Sequence, residues 1–220
     1  MTRDAVHSFS TCLALEFSGK TASLAVIELV AGKAVKTTQV VSEGKNHLEQ
    51  AIALIDEVLS QAGKRLADIS VLVAPASPGS FTGLRVGLAT AKGLAKRLDI
   101  PLCTLSGSEA RALHWCLKNH GTSVEVYTPA SSSRATRSVF AFKGGRAERG
   151  EEAVVDVKDL GPANGVVRLV EETLVIDGGI RLPLRAEMLG ACLELAYSLR
   201  RFETEPERAL VEAEYFGTRF

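Results

Sequence analysis

A chain of 220 residues with 46% hydrophobic side chains is long enough for one or two domains, and its composition is globular rather than disordered. Its 26 basic and 26 acidic residues cancel, so no global field draws it to nucleic acid or membrane. The four cysteines, Cys12, Cys103, Cys116 and Cys192, form no C-x-x-C pair, which argues against a disulfide framework or zinc ribbon; with no leader pattern and no membrane-length apolar run, the expectation is a cytoplasmic protein without a membrane segment.

The first predicted element is a strand, TCLALE at 11–16, followed by the turn FSGKT. ASLAVIELV is predicted as a second strand and AVKTTQVV as a third, which makes a meander. The period then changes. Leu48, Ala51, Ile52, Ile55, Leu59 and Ala62 fall on one helical stripe, with Asn46 as the expected N-cap, Glu49 three residues on and Gly63 as the stop. ISVLVAPA has the form of a buried strand, a helix is expected over about 83–98, and IPLCTL is a further buried strand. The first half therefore predicts β-β-β-α-β-α-β.

The second half is less regular. SGSEARALHWCLKN predicts a helix with a serine cap, and SVEVYTPA and RSVFAFKG predict strands around the polar loop SSSRAT. EEAVVDV and ETLVIDGGI are expected to add two strands. MLGACLELAYSLRRF predicts a helix with Met188, Cys192, Leu195, Leu199 and Phe202 on one stripe. The expected division falls near SGS at 106–108, giving a first unit of residues 1–106 and a second of 107–220. His114, Cys116 and His120 are the nearest approach to a metal cluster, and their spacing fits no ligand pattern.

Two phosphate motifs fail. GKT at 19–21 lacks the earlier glycine of a P-loop, since position 14 is Ala14, and a strand rather than a helix follows. The stretch SPGSFTGLRVGLATAKGLA lacks G-x-G-x-x-G. What it retains is a helix N-terminus beside Ser80 and Thr82, which could bind an anion; plain helix capping by Ser80 or Thr82 is the favoured reading of these residues. Within the helix, Gly83, Gly87, Ala91 and Ala95 are four apart and form a row of small side chains, with Leu84, Leu88, Leu94 and Leu98 beside it. Three helical glycines cost roughly 1 kcal/mol each relative to alanine, and close backbone approach is what such a row provides. The neighbour that approaches is either the chain's own sheet or a partner helix. Arg85, Lys92 and Lys96 lie on the opposite face.

APASPGSFTGLRVGLATAKGLA resembles the signature of the bacterial TsaB (YeaZ) family, proteins that take part in making N6-threonylcarbamoyladenosine on tRNA. LALEFSGKTASLAVIE before it, NHLEQAIALIDEVL, and IPLCTLSGSEARA after it keep the family's order; the likeness is close over 11–112 and thin over 113–211, although EAEYF resembles the family's ending. The resemblance implies an α/β actin-like (ASKHA, ribonuclease H-like) fold of the glycoprotease-like, peptidase M22-like group. Its two related subdomains each have a mixed sheet flanked by helices. It implies a subunit with no catalytic residues, metal or cofactor of its own. Its implied partners are a catalytic TsaD-like paralogue, a TsaE-like ATPase and, through the complex, tRNA; a homodimer is a further possibility. The family's four-helix dimer interface maps here to Leu48, Ile52, Ile55 and Leu59 of one helix and to Gly83, Leu84, Gly87, Leu88, Ala91 and Ala95 of the other. A vestigial anion or nucleotide site maps to Ser18, Ser80 and Thr82.

The chain departs from that pattern. Glu16, Phe17 and Ser18 stand where an Asp-Thr-Ser turn is usual, Pro75, Ala76 and Ser77 where Gly-Arg-Gly is usual, and SSSRAT where an Asp-Ala-Arg segment is expected, with Arg134 or Arg137 the candidate arginine. In the paralogue two metal-binding histidines stand four apart; here His47 is followed by Ala51. The expectation is weak or absent nucleotide binding. Arg134, Arg137, Lys143, Arg146 and Arg149 give a local basic segment, a solvated hairpin or an RNA contact. The alternatives to a partner subunit are an actin-fold ATPase or phosphotransferase acting alone, or a homodimeric binding protein.

Overall fold

The computed structural model describes residues 10–30, 33–42, 49–77, 79–143, 146–171, 173–191 and 202–203. The first half follows the expected order: β1 (Thr11–Glu16), β2 (Ala22–Val30), β3 (Lys33–Ser42), α1 (Ala51–Ala62), β4 (Val71–Ser77), α2 (Phe81–Leu98) and β5 (Leu102–Ser106). The second half comprises α3 (Gly107–Asn119), β6 (Ser123–Pro129), β7 (Arg134–Lys143), β8 (Arg146–Asp156), β9 (Arg168–Val170), β10 (Gly179–Arg181), α4 (Ala186–Ala191) and β11 (Phe202–Glu203). Two mixed sheets result, six strands in the order β11-β5-β4-β1-β2-β3 and five in the order β10-β9-β6-β7-β8. The expected α/β architecture of two mixed sheets flanked by helices is therefore present.

β1, β2 and β3 pair antiparallel, and β1 and β5 each run parallel to β4. Every residue of β1 is buried because both faces of this sheet are covered. On one face Leu13, Leu15, Leu24 and Leu72 meet α1 and α2 through Val58, Leu88 and Ala91. On the other, Cys12, Ala14, Ile27 and Val73 join Leu113 of α3, Met188 of α4, and Val126 and Phe140 of the second sheet in one cluster. α3 thus lies between the two sheets. Its serine cap is the expected one: Ser106 Oγ accepts from Glu109 N at 3.4 Å.

Three predicted elements shift. α1 ends at Gly63 with φ 65°, as expected, but its N-cap is Gln50; Asn46 and His47 lie outside the described residues, as does Leu48. Its buried stripe runs through Ala51, Leu54, Ile55, Val58, Leu59 and Ala62, whereas Ile52 is 61% exposed. At 100° per residue Ile52 falls beyond the edge of that stripe. The strand expected in ETLVIDGGI is absent over residues 173–178: the short strand β9 precedes the segment, its parallel partner β10 begins only at Gly179, and the chain turns through Gly178 at φ 66°. A left-handed glycine and the exposed Val175 break the run that apolar content alone suggested. The last predicted helix is described only over Ala186–Ala191, and Phe202 stands in β11, antiparallel to β5, rather than on a helical stripe. Cys192, Leu195 and Leu199 lie outside the described residues.

Candidate functional site

The glycine signature and the β1–β2 turn form one packed unit. Ser80 N donates to the carbonyl of Ser18 at 2.8 Å, so the start of α2 is tied directly to the turn. A Cβ on Gly79 would stand 2.4 Å from Ser18 Cβ, and one on Gly83 would stand 2.0 Å from the Phe17 carbonyl oxygen. Gly87 faces the Phe17 ring, with a Cβ there 3.4 Å from Cδ2. The Phe17 side chain, buried, turns into the core beneath α2 rather than into the turn. Ser80 caps α2, its Oγ accepting from Gly83 N at 3.3 Å, and Thr82 is exposed in the first helical turn.

Glu16 ends β1 and folds back on the turn that follows it. Its Oε1 accepts from Ser18 N at 2.5 Å, Ser18 Oγ at 2.6 Å and Gly19 N at 3.1 Å. The residue is fully buried, and among the described residues Oε2 has no hydrogen-bond partner. Burial pushes its carboxyl above the usual range; the Ser18 hydroxyl, the Arg111 charge and the two amides pull the other way without cancelling it. A folded-state pKa above the unfolded one means the folded state binds the proton more tightly. This contribution to stability is full below the unfolded value and is lost as pH rises through the folded one. Glu16→Gln retains an acceptor oxygen and removes the titration. The difference in unfolding free energy between wild type and Glu16→Gln should therefore move in favour of wild type on acidification from pH 7 towards about 4.5. Urea titrations of both proteins across that range check this; a flat difference overturns it.

Arg111, on α3, acts on Glu16 through its charge alone. Its Nε donates to the Leu182 carbonyl at 3.0 Å and its Nη2 to Glu171, so the ion pair links α3 to the segment after β9. Arg185 donates to Thr21 Oγ1, and Ala186 N to Ser23 Oγ at 2.8 Å, which ties α4 to β2 beside the same turn. Sequence reasoning missed Arg111; the signal was a lone arginine among Ala110, Ala112 and Leu113.

The residues expected at a partner face divide sharply. Ile55, Leu59, Gly83, Leu84, Gly87, Leu88, Ala91 and Ala95 are buried within the chain, and the small row lies over β4, β1 and β5. Ile52 is exposed. The outward side of α2 presents Phe81, 47% exposed, with the Arg85 guanidinium 4.2 Å from its ring centroid. Phe81, an apolar residue off the buried stripe, was another overlooked signal. α1 carries exposed Asp56 and Glu57, whereas α2 has Arg85, Lys92, Lys96 and Arg97 and no acidic residue.

Two residues of the basic segment, Arg137 and Arg149, pair with carboxylates. Arg137 donates to Glu125 and, at 3.2 Å, to Glu151, and Arg149 lies 3.7 Å from Glu152. Tyr127 OH donates to Glu125 at 2.7 Å. The hydrogen bonds from Arg137 and Tyr127 and the charges of Arg137 and Arg168 together hold the Glu125 carboxyl below its usual range against the opposing effect of burial. Among the described residues, no three His, Cys, Asp or Glu side chains are grouped to hold a metal ion, and no helix is long and apolar enough to cross a membrane.

Residues 39–163, more than half of the chain, match the model of the family TsaD: tRNA N6-adenosine threonylcarbamoyltransferase. A tRNA threonylcarbamoyladenosine biosynthesis protein TsaB of Haemophilus influenzae is 34% identical over 46% of this chain and 42% of its own. A tRNA N6-adenosine threonylcarbamoyltransferase of Agrobacterium fabrum is 42% identical over 30% of this chain and 18% of its own. The matched region thus spans less than half the length of these relatives. The solved structure of YeaZ from Pseudomonas aeruginosa superposes with a TM-score of 0.74 at 19% identity, covering 94% of this chain and 100% of that one, which shows a shared fold.

Proposed function

Because the chain belongs to the TsaB (YeaZ) family, within the group of the TsaD model, we propose that it is a non-catalytic subunit in the formation of threonylcarbamoyladenosine on tRNA. It binds and activates a TsaD-like catalytic paralogue, a TsaE-like ATPase joins the pair, and tRNA is engaged through the complex. Its two functional units divide near residue 106. Nucleotide binding by the chain alone is weak or absent.

The observation that carries this reading is the outward side of α1 and α2. Ile52 and Phe81 are large apolar side chains left in water on the two helices that cover one face of the first sheet. Their flanks differ in sign, acidic on α1 and basic on α2. Apolar anchors within charged rims are what a protein interface needs. The expected contact is therefore the exposed side of these helices, with the small row acting beneath it to seat α2 on the sheet.

Co-expression with the catalytic paralogue of the same organism, followed by size-exclusion chromatography, tests this. Wild type should co-elute with the paralogue. Phe81→Asp should weaken the complex at least tenfold, as a lost interface anchor of about 2 kcal/mol does, and leave the melting temperature of the isolated chain within about 2 °C of wild type. If both wild-type proteins are folded and do not co-elute, the reading is overturned. Calorimetry with ATP separates the alternative of an independent ATPase, which requires binding by the purified chain.

A further inference from the structure

The β1–β2 turn is built like a receptor for an oxyanion. Two successive backbone N–H groups, Ser18 and Gly19, and the Ser18 hydroxyl converge on one point within 3.1 Å. Successive amides aimed at one point form an anion-binding concavity. The point is not free: it holds Glu16 Oε1, and the other carboxyl oxygen is buried beside it with no hydrogen-bond partner among the described residues. Such an unmatched oxygen is not what a residue selected only to cap a turn would carry, since a serine or asparagine side chain caps without burying a carboxyl group.

The charged groups around the turn are mostly cationic. Arg111 acts on Glu16 electrostatically from α3, Arg185 bonds Thr21, and Lys20 is exposed on the turn itself. Glu171 is held by Arg111. With the Glu16 side chain removed, the three donors would face the space that its carboxyl group fills.

We propose that the β1–β2 turn is an oxyanion site permanently filled by the chain's own Glu16 side chain, and that Glu16 is the residue that closes this turn to carboxylate and phosphoryl ligands. The ligand class it excludes is set by the donors: a planar or tetrahedral oxyanion presenting one oxygen to two amides and a hydroxyl. This inference concerns the isolated chain and does not depend on complex formation.

Refilling the vacated space tests it. Glu16→Ala is expected to melt below wild type in chloride and to recover by about 3–5 °C in roughly 0.1 M formate at equal ionic strength, with a saturable dose dependence. Wild type and Glu16→Gln, whose side chains fill the space, should show the same melting temperature in formate and chloride. Inorganic phosphate, used in parallel, should also raise the melting temperature of Glu16→Ala and not that of wild type; a formate gain without a phosphate gain overturns the phosphoryl part of the excluded class. Equal melting of folded Glu16→Ala in formate and chloride overturns the proposal, as does an equal formate gain in Glu16→Gln. Should Glu16→Ala fail to fold in chloride, refolding in formate supports the proposal and failure in both salts overturns it.

Discussion

Gly83→Ala is expected to destabilise the chain by about 3 kcal/mol or more, while the same substitution at Gly93, in the same helix, stabilises it by about 0.5–1 kcal/mol. The added methyl is identical and the helix propensity gain is the same. What differs is the neighbour. At Gly83 a Cβ would stand 2.0 Å from the Phe17 carbonyl oxygen and 2.9 Å from its carbon, both backbone atoms that no rotamer change can move. At Gly93 nothing lies within 4 Å. Overpacking of flexible side chains costs about 1–3 kcal/mol, and displacement of the β1–β2 backbone adds the loss of its bonds to Ser80 and Glu16. Urea unfolding of the two variants beside wild type measures both effects. Effects of the same sign would mean that α2 does not seat the turn.

Arg111→Met should cost about 3–5 kcal/mol, because it leaves the Glu171 carboxylate buried without its counter-charge. The two side chains are 2% and 8% exposed, so water cannot replace the lost partner. Adding Glu171→Gln to Arg111→Met should recover a large part of the loss, since no uncompensated charge then remains. The cost that persists in the double variant reports the bond from Arg111 to the Leu182 carbonyl. Arg111→Met also removes the charge that draws Glu16 down, so the acid-side gain in stability described for Glu16 should grow in this variant. A single-variant cost under about 1 kcal/mol would show that the pair is solvated in solution.

Much of the first half was legible because its signals are local. A short run of apolar and small residues, Thr11 to Leu15, then a turn, then a second run, prescribe a meander, and the caps Gly63 and Ser106 act within a few residues of themselves. The signature helix was equally legible as a helix. Its orientation was not. Spacing shows that Gly83, Gly87, Ala91 and Ala95 share a face, but it is silent on whether sheet or partner lies opposite. The answer depends on Phe17, just after β1, whose carbonyl and ring meet Gly83 and Gly87 from 66 and 70 residues earlier in the chain. Glu16 shows the same limit at shorter range. As a residue type it was a departure from an expected turn; only the folded turn shows its carboxyl reversing onto Ser18 and Gly19. The second half hid more because β9 and β10 are three residues each, too short for periodicity to register.

The first sheet takes five of its strands from residues 11–106 and its sixth from Phe202–Glu203, after the whole second sheet has been made. During synthesis β5 therefore stands as an open edge while roughly 95 further residues leave the ribosome, a delay of about 5–20 s at ordinary elongation rates. An unpaired parallel edge is the feature through which nascent chains associate wrongly. The pairing of β11 with β5 can close that edge only after the second sheet has been synthesised, so the early half of the chain depends on a distant, later segment for its last strand.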